Sequence, residues 1–223
     1  MRNCIYFPLM GDYDPIKEPT VITPGWDYIC FTNNPDLKSK HWQIRLVENP
    51  EGMSDSRFSR SFFALGHRYL GEYDITISTG AQMQPTCDLD IFLEKFLPGE
   101  EDMAMPRHPC RTCIYQEAEK CKSSKKDDPK IIDKQMDFYR KEGMPENEGL
   151  IATGIVIRKN RGNIAAHGEL WWEQIKRWSF RDQLSFNYIL WKYNLVKIHY
   201  FSYDIVRNKG GYFKKHPHKG RDE

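Results

Sequence analysis

What the sequence lacks narrows it first. It has no uninterrupted apolar run of the roughly 18 residues that a membrane-spanning helix needs. Its opening residues, MRNCIYFPLMGDYD, show neither a long apolar leader nor a small-residue cleavage site. The expectation is a cytoplasmic chain with no transmembrane segment. Net charge is nearly absent: 33 basic against 31 acidic residues leave +2, too little for a surface that wraps nucleic acid. No P-loop, complete glycine-rich dinucleotide turn, HExxH or GxSxG occurs. These absences argue against common ATPase, NAD-enzyme, zinc-protease and serine-hydrolase chemistry. There is also no internal repeat, low-complexity stretch or clear interdomain linker.

Cysteine is present but sparse in pattern. The six are Cys4, Cys30, Cys87, Cys110, Cys113 and Cys121, and a cytosolic chain would keep them reduced. HPCRTCIYQEAEKC holds one CxxC without a second pair, short of a tetrahedral zinc set. Packing of an irregular insert and its following helix is the preferred reading; zinc on Cys110, Cys113 and Cys121 is the alternative. The 223 residues suit one large domain with a self-sufficient core. Aromatics are plentiful, with 6 Trp, 12 Tyr and 12 Phe, enough to line both a core and a site for a ring-bearing substrate.

Short apolar segments alternate with helical ones. Strands are predicted over 4–7, 28–31, 42–47, 73–78 and 155–158, with a late strand in KIHYFSY. Helices are predicted over 56–70, 88–97, 114–121, 129–143, 163–178 and 181–193. Residues 103–109 read as irregular and 122–128 as a polar surface loop. The alternation predicts an α/β fold with a mostly parallel sheet, and ligands binding beyond the carboxyl ends of its strands.

The segments YICFTNNP, HPCRTCIYQEAEKC, residues 135–149, TGIVIRKN and ELWWEQIKRWSFRDQLSF resemble a glycosyltransferase-like domain family, formerly a domain of unknown function. Its plant members are implicated in cell-wall or mucilage polysaccharide synthesis, and it has bacterial members. The resemblance runs from about residue 3 to residue 194. It implies a single-domain GT-A-like fold over 1–223, with 209–223 a flexible or ligand-ordered tail. It also implies transfer of a sugar from a UDP- or GDP-sugar to a hydroxyl of a glycan or other acceptor. GT-A enzymes often use Mn²⁺ or Mg²⁺, a hard cation that offsets charge on the leaving diphosphate.

Two departures stand out. Where the family carries an Asp after the fourth strand, this chain has Gly80, with Gln82 near the Asn that follows. Where the family has FTD, this chain has Thr32 and Asn33. The candidate donor-binding set implied by the resemblance is Asp14, Thr32, Asn33, Arg60, Gly80, Gln82, Glu148, Gly149 and Lys219, with His218 as a metal ligand. The candidate catalytic set is Asp182, Arg181 and His108. Asp182 is read as a base towards the acceptor or as a sugar-orienting group, with a helix cap as the plain alternative. Asp88 and Asp90 form a DxD, read as helix-capping residues in preference to metal ligands. Two further functions compete: a nucleotide- or glycan-binding module without turnover, and a nucleic-acid-modifying transferase using the basic loop at 122–126 and the tail.

Overall fold

The computed structural model describes residues 1–207 and 211–219. Strand β1 (Asn3–Pro8) lies between β2 (Trp26–Thr32) and β4 (Ile75–Thr79), both parallel to it. β1 shows why the sheet is buried on both faces. Cys4 and Tyr6 point to one side, against Phe58, Phe62 and Leu70, while Ile5 and Phe7 point to the other, among Ile77, Leu89 and Phe92. Period-two alternation with apolar residues on both sides is the pattern of a covered parallel strand.

The sheet has seven strands in the order β3-β2-β1-β4-β7-β6-β8, where β3 is Gln43–Leu46, β6 Met103–Pro106, β7 Ile155–Lys159 and β8 Ile198–Phe201. β7 pairs antiparallel with both β4 and β6, and the other pairings are parallel. This is the expected mostly parallel α/β architecture in one domain, and it is consistent with a GT-A-like fold. A separate ribbon pairs β5 (Met83–Pro85) with β9 (Phe213–Lys215). It ties part of the expected 209–223 tail to the turn after β4. Residues 209–210 and 220–223 of that tail lie outside the described residues.

The predicted helix over 56–70 is two helices. α1 (Asp55–Ala64) stops at Leu65, and α2 (Gly66–Tyr69) restarts at once. The core hydroxyl of Tyr6 occupies the break. It donates to the Phe62 carbonyl at 2.8 Å and lies 2.6 Å from where a Cβ on Gly66 would sit. α3 (Leu89–Phe96) begins at Asp88, whose carboxylate accepts the Asp90 amide at 2.8 Å, while Asp90 accepts the Trp26 indole N–H at 2.8 Å. The DxD therefore serves capping and packing. α4 (Ile114–Ser123), α5 (Pro129–Lys141), α6 (Ile164–Arg177) and α7 (Asp182–Tyr193) are the remaining α-helices among the described residues, with Asp128 capping α5 just before Pro129.

Residues 103–106, expected to be irregular, form the buried strand β6. Trp171, Trp172, Phe186 and Tyr188 join α6 and α7 in the larger apolar cluster. Among the described residues no helix is long and apolar enough to cross a membrane.

Candidate active site

A cleft of about 520 Å³ opens where the carboxyl ends of β1 and β4 meet the loop entering β7. β7 runs against its neighbours, so its approach at Thr153 and Gly154 reaches the same edge as the exits of β1 and β4. The Gly80 N–H donates to the Gly154 carbonyl at 3.3 Å and closes that edge. α1 supplies one wall through Asp55, Ser56, Ser59 and Arg60, and the start of α7 supplies another through Arg181 and Asp182.

Arg60 and Asp182 face each other in this cleft, with Nη1 and Oδ2 3.5 Å apart. Asp182 is 1% exposed. Its Oδ1 accepts the Gln183 amide at 3.1 Å, and its carbonyl accepts the Trp171 indole N–H at 3.1 Å, which anchors the start of α7. Burial lowers the Arg60 guanidinium from its ordinary value, and Asp182 partly offsets this. Nε of Arg60 and Nε of Arg181 are both buried without a hydrogen-bond partner. Two guanidinium groups with unused donors beside a cleft suit an incoming anion.

Asp14 lies on the opposite rim. It accepts the Lys219 amide at 3.0 Å, and its other oxygen contacts His218 Nδ1 at 2.7 Å. The tail thereby closes over the loop after β1, with Tyr13 edge-on to His218 at 5.2 Å. His218 lines the cleft, whereas Lys219 meets Asp14 through its backbone. Asn33 braces the same region from below: its Oδ1 accepts the Gly11 N–H at 2.7 Å and its Nδ2 donates to Asp55 at 3.3 Å. Gly11 has φ +59, a left-handed turn that glycine adopts without strain.

Sequence reasoning left the loop after α4 out of the donor site and gave its basic residues a role only in the nucleic-acid alternative. Ser124, Lys125 and Lys126 line the cleft instead of standing apart as a surface loop. Asp127 holds that loop in place by accepting Ser179 Oγ at 2.6 Å and the Phe180 amide at 3.0 Å. The lysines and Arg181 are thus fixed on adjoining walls. The available signal was the pair of lysines directly after a helix end, but charge alone does not distinguish a solvated loop from a cleft wall.

The remaining candidates lie elsewhere. The Thr32 hydroxyl accepts the Asn34 amide at 3.1 Å in a turn, and Thr32 is fully buried. His108 Nδ1 accepts the Arg111 amide at 3.0 Å, and its ring lies beside the Arg111 side chain, which donates to Glu117 at 2.6 Å. His108 is therefore not brought together with Asp182 and Arg181 in the cleft lining. Glu148 and Gly149 line a second recess of about 390 Å³, with Asn147, Asn187 and Tyr200.

The donor set for a divalent ion is thin. Gly80 brings no carboxylate, and a Cβ added there would lie 2.9 Å from Gln82 Cδ, so the Gln82 amide occupies that space. Asp14 is engaged by His218 and Lys219, and Asp182 by Arg60 and Gln183. Among the described residues no three His, Cys, Asp or Glu side chains are grouped to hold a metal. Where hard cations gather several oxygen ligands, these residues do not fit one. Cys113 and Cys121 are buried, Cys110 is exposed, and burial pushes the Cys121 thiol up, away from the thiolate that zinc requires.

A family model for the TOD1/MUCI70 glycosyltransferase-like domain matches residues 32–216. The probable hexosyltransferase MUCI70 of Arabidopsis thaliana is 26% identical over 155 residues, covering 66% of this chain and 27% of that protein. The chain thus spans about a quarter of the length of the curated relative it matches. The family match takes in most of the cleft walls, from α1 to the start of α7, and this chain belongs to the TOD1/MUCI70 glycosyltransferase-like domain family.

Proposed function

We propose that this protein transfers a hexosyl group from a nucleoside-diphosphate sugar to an acceptor hydroxyl. The observation that carries the reading is the buried Arg60–Asp182 pair in a polar cleft at the carboxyl end of the sheet. Ligands of open α/β sheets bind at that edge. The family match and the likeness to a plant protein named as a probable hexosyltransferase support the same chemistry.

In the reaction, the bond between the anomeric carbon and a diphosphate oxygen breaks, and the diphosphate keeps the electron pair. A new bond forms between that carbon and the acceptor oxygen. Arg60 and Arg181 face the charge that develops on the leaving group. Asp182, which faces Arg60, accepts the proton of the acceptor hydroxyl. Asp14 and Tyr13 shape the nucleotide end of the cleft, and Asn33 holds their loop. The second recess, with Asn147 and Glu148, offers hydrogen bonds to sugar hydroxyls of an acceptor glycan.

The test is release of nucleoside diphosphate from a panel of UDP- and GDP-hexoses with glycan acceptors. Asp182→Asn should lower turnover about 100-fold or more, the usual scale for losing a positioned acid or base. Turnover equal to wild type would remove Asp182 from this role. The absence of an acid at Gly80 favours one competing reading, a donor-binding module without turnover. That reading predicts nucleotide-sugar binding and no release with any acceptor.

A further inference from the structure

We propose that Lys125 and Lys126, together with Arg60 and Arg181, bind the donor's diphosphate directly and do the charge-neutralising work of a divalent cation. The inference rests on reading the cleft as a nucleotide-sugar site, and deepens it by assigning the diphosphate ligands and dispensing with a metal.

Three observations carry it. The first is the lining itself: Arg60, Arg181, Lys125 and Lys126 all border one cleft. Its carboxylates are already engaged: Asp14 by His218, Asp182 by Arg60 and Asp55 by Asn33. Among the described residues neither lysine ammonium has a carboxylate partner, and both guanidinium Nε atoms are buried without an acceptor. Unsatisfied cationic donors beside a polar cavity call for an anion.

The second is the backbone. The Lys126 N–H bonds the Cys121 carbonyl at 2.9 Å and the Lys125 N–H bonds the Lys122 carbonyl at 3.0 Å, the paired bonds of a Schellman helix end. Its left-handed position normally falls to glycine, yet here it is Lys125, with φ +50. A strained conformation that puts a cation on a cleft wall points to a use for that cation. The third is Asp127, which clamps the lysine loop to Ser179 and Phe180 and so fixes it relative to Arg181.

Titration calorimetry with UDP, GDP and inorganic pyrophosphate decides the matter. Each probe is run in EDTA and again with Mn²⁺ or Mg²⁺, on wild type, Lys125→Gly and Lys126→Gln. The expected result is binding of pyrophosphate and of one nucleotide in EDTA, changed less than about threefold by metal. Each lysine variant should bind about tenfold more weakly, the scale of one charge-assisted hydrogen bond, with no rescue by metal. Thermal melts of the same samples separate lost binding from lost fold, since Lys125→Gly places the favoured residue at a glycine position. Nucleotide binding that tightens tenfold or more with metal, or lysine variants that bind as wild type, would overturn the inference and leave the nucleotide reading standing. Failure of all three probes in both conditions would overturn both.

Discussion

His167 makes the stability of this fold sensitive to acid in a way that can be calculated. It lies on α6, 2% exposed, with its ring edge-on to Phe186 at 5.0 Å. Neither ring nitrogen has a hydrogen-bond partner. Burial, and secondarily the positive charge of Arg158, lower its pKa from 6.5 to about 4. The folded state therefore resists a proton that the unfolded chain accepts freely. Stability from this group is intact above the unfolded value of 6.5 and falls as pH drops from there towards 4. At about 1.36 kcal/mol per pH unit, the full loss is about 3 kcal/mol, and about 2 kcal/mol is already lost at pH 5.

Urea melts at pH 7 and pH 5, on wild type and His167→Leu, isolate the effect because the other titrating groups cancel between the two proteins. The stability of the variant relative to wild type should rise by about 2 kcal/mol between pH 7 and pH 5. If the two proteins lose stability in parallel, His167 takes up a proton in the folded state without penalty, and the reasoning from its burial fails.

Other outcomes follow from single contacts. Gly168→Ala would drive a Cβ into the Ala64 carbonyl where α6 crosses α1; it should cost about 2 kcal/mol in chemical denaturation, and an unchanged midpoint would show that the helices separate freely. Lys125→Gly should raise stability by roughly 0.5–1 kcal/mol, because relief of the left-handed strain exceeds the added freedom of the unfolded chain; a lower melting temperature would contradict the strain at φ +50. Asp182→Asn should keep the fold while turnover collapses, provided that Trp171 still binds the residue 182 carbonyl; near-ultraviolet circular dichroism checks that packing around Trp171 persists.

Much of the fold was legible because local signals agreed with the final topology. The apolar strand at residues 4–7, the cap at Asp88 and the helix opened by Pro129 all read directly from residue type and spacing. β6 did not, because Met103-Ala104-Met105-Pro106 has no β-branched residue and no polar alternation; its place between β7 and β8 made it a strand. β5 and β9 are three residues each and pair across most of the chain, which no local pattern encodes. In the site, Arg60, Arg181, Asp182, Asp14, Gly80, Gln82 and His218, named from the sequence, come together in the lining of one cleft. Lys125 and Lys126 were read as a solvated loop because their direction depends on Asp127 reaching Ser179, a contact 52 residues away in sequence. His108 stands apart because its own loop satisfies it through Arg111.

The central claim is that a nucleoside-diphosphate sugar binds with its diphosphate between α1 and the start of α7. A crystal structure of the protein soaked with UDP or GDP tests it most directly. The account predicts density for the diphosphate within hydrogen-bond reach of Arg60, Arg181, Lys125 and Lys126, with the nucleoside towards Tyr13 and Asp14. Nucleotide seated instead in the recess beside Glu148 and Tyr200, with the Arg60–Asp182 cleft left untouched, would contradict it.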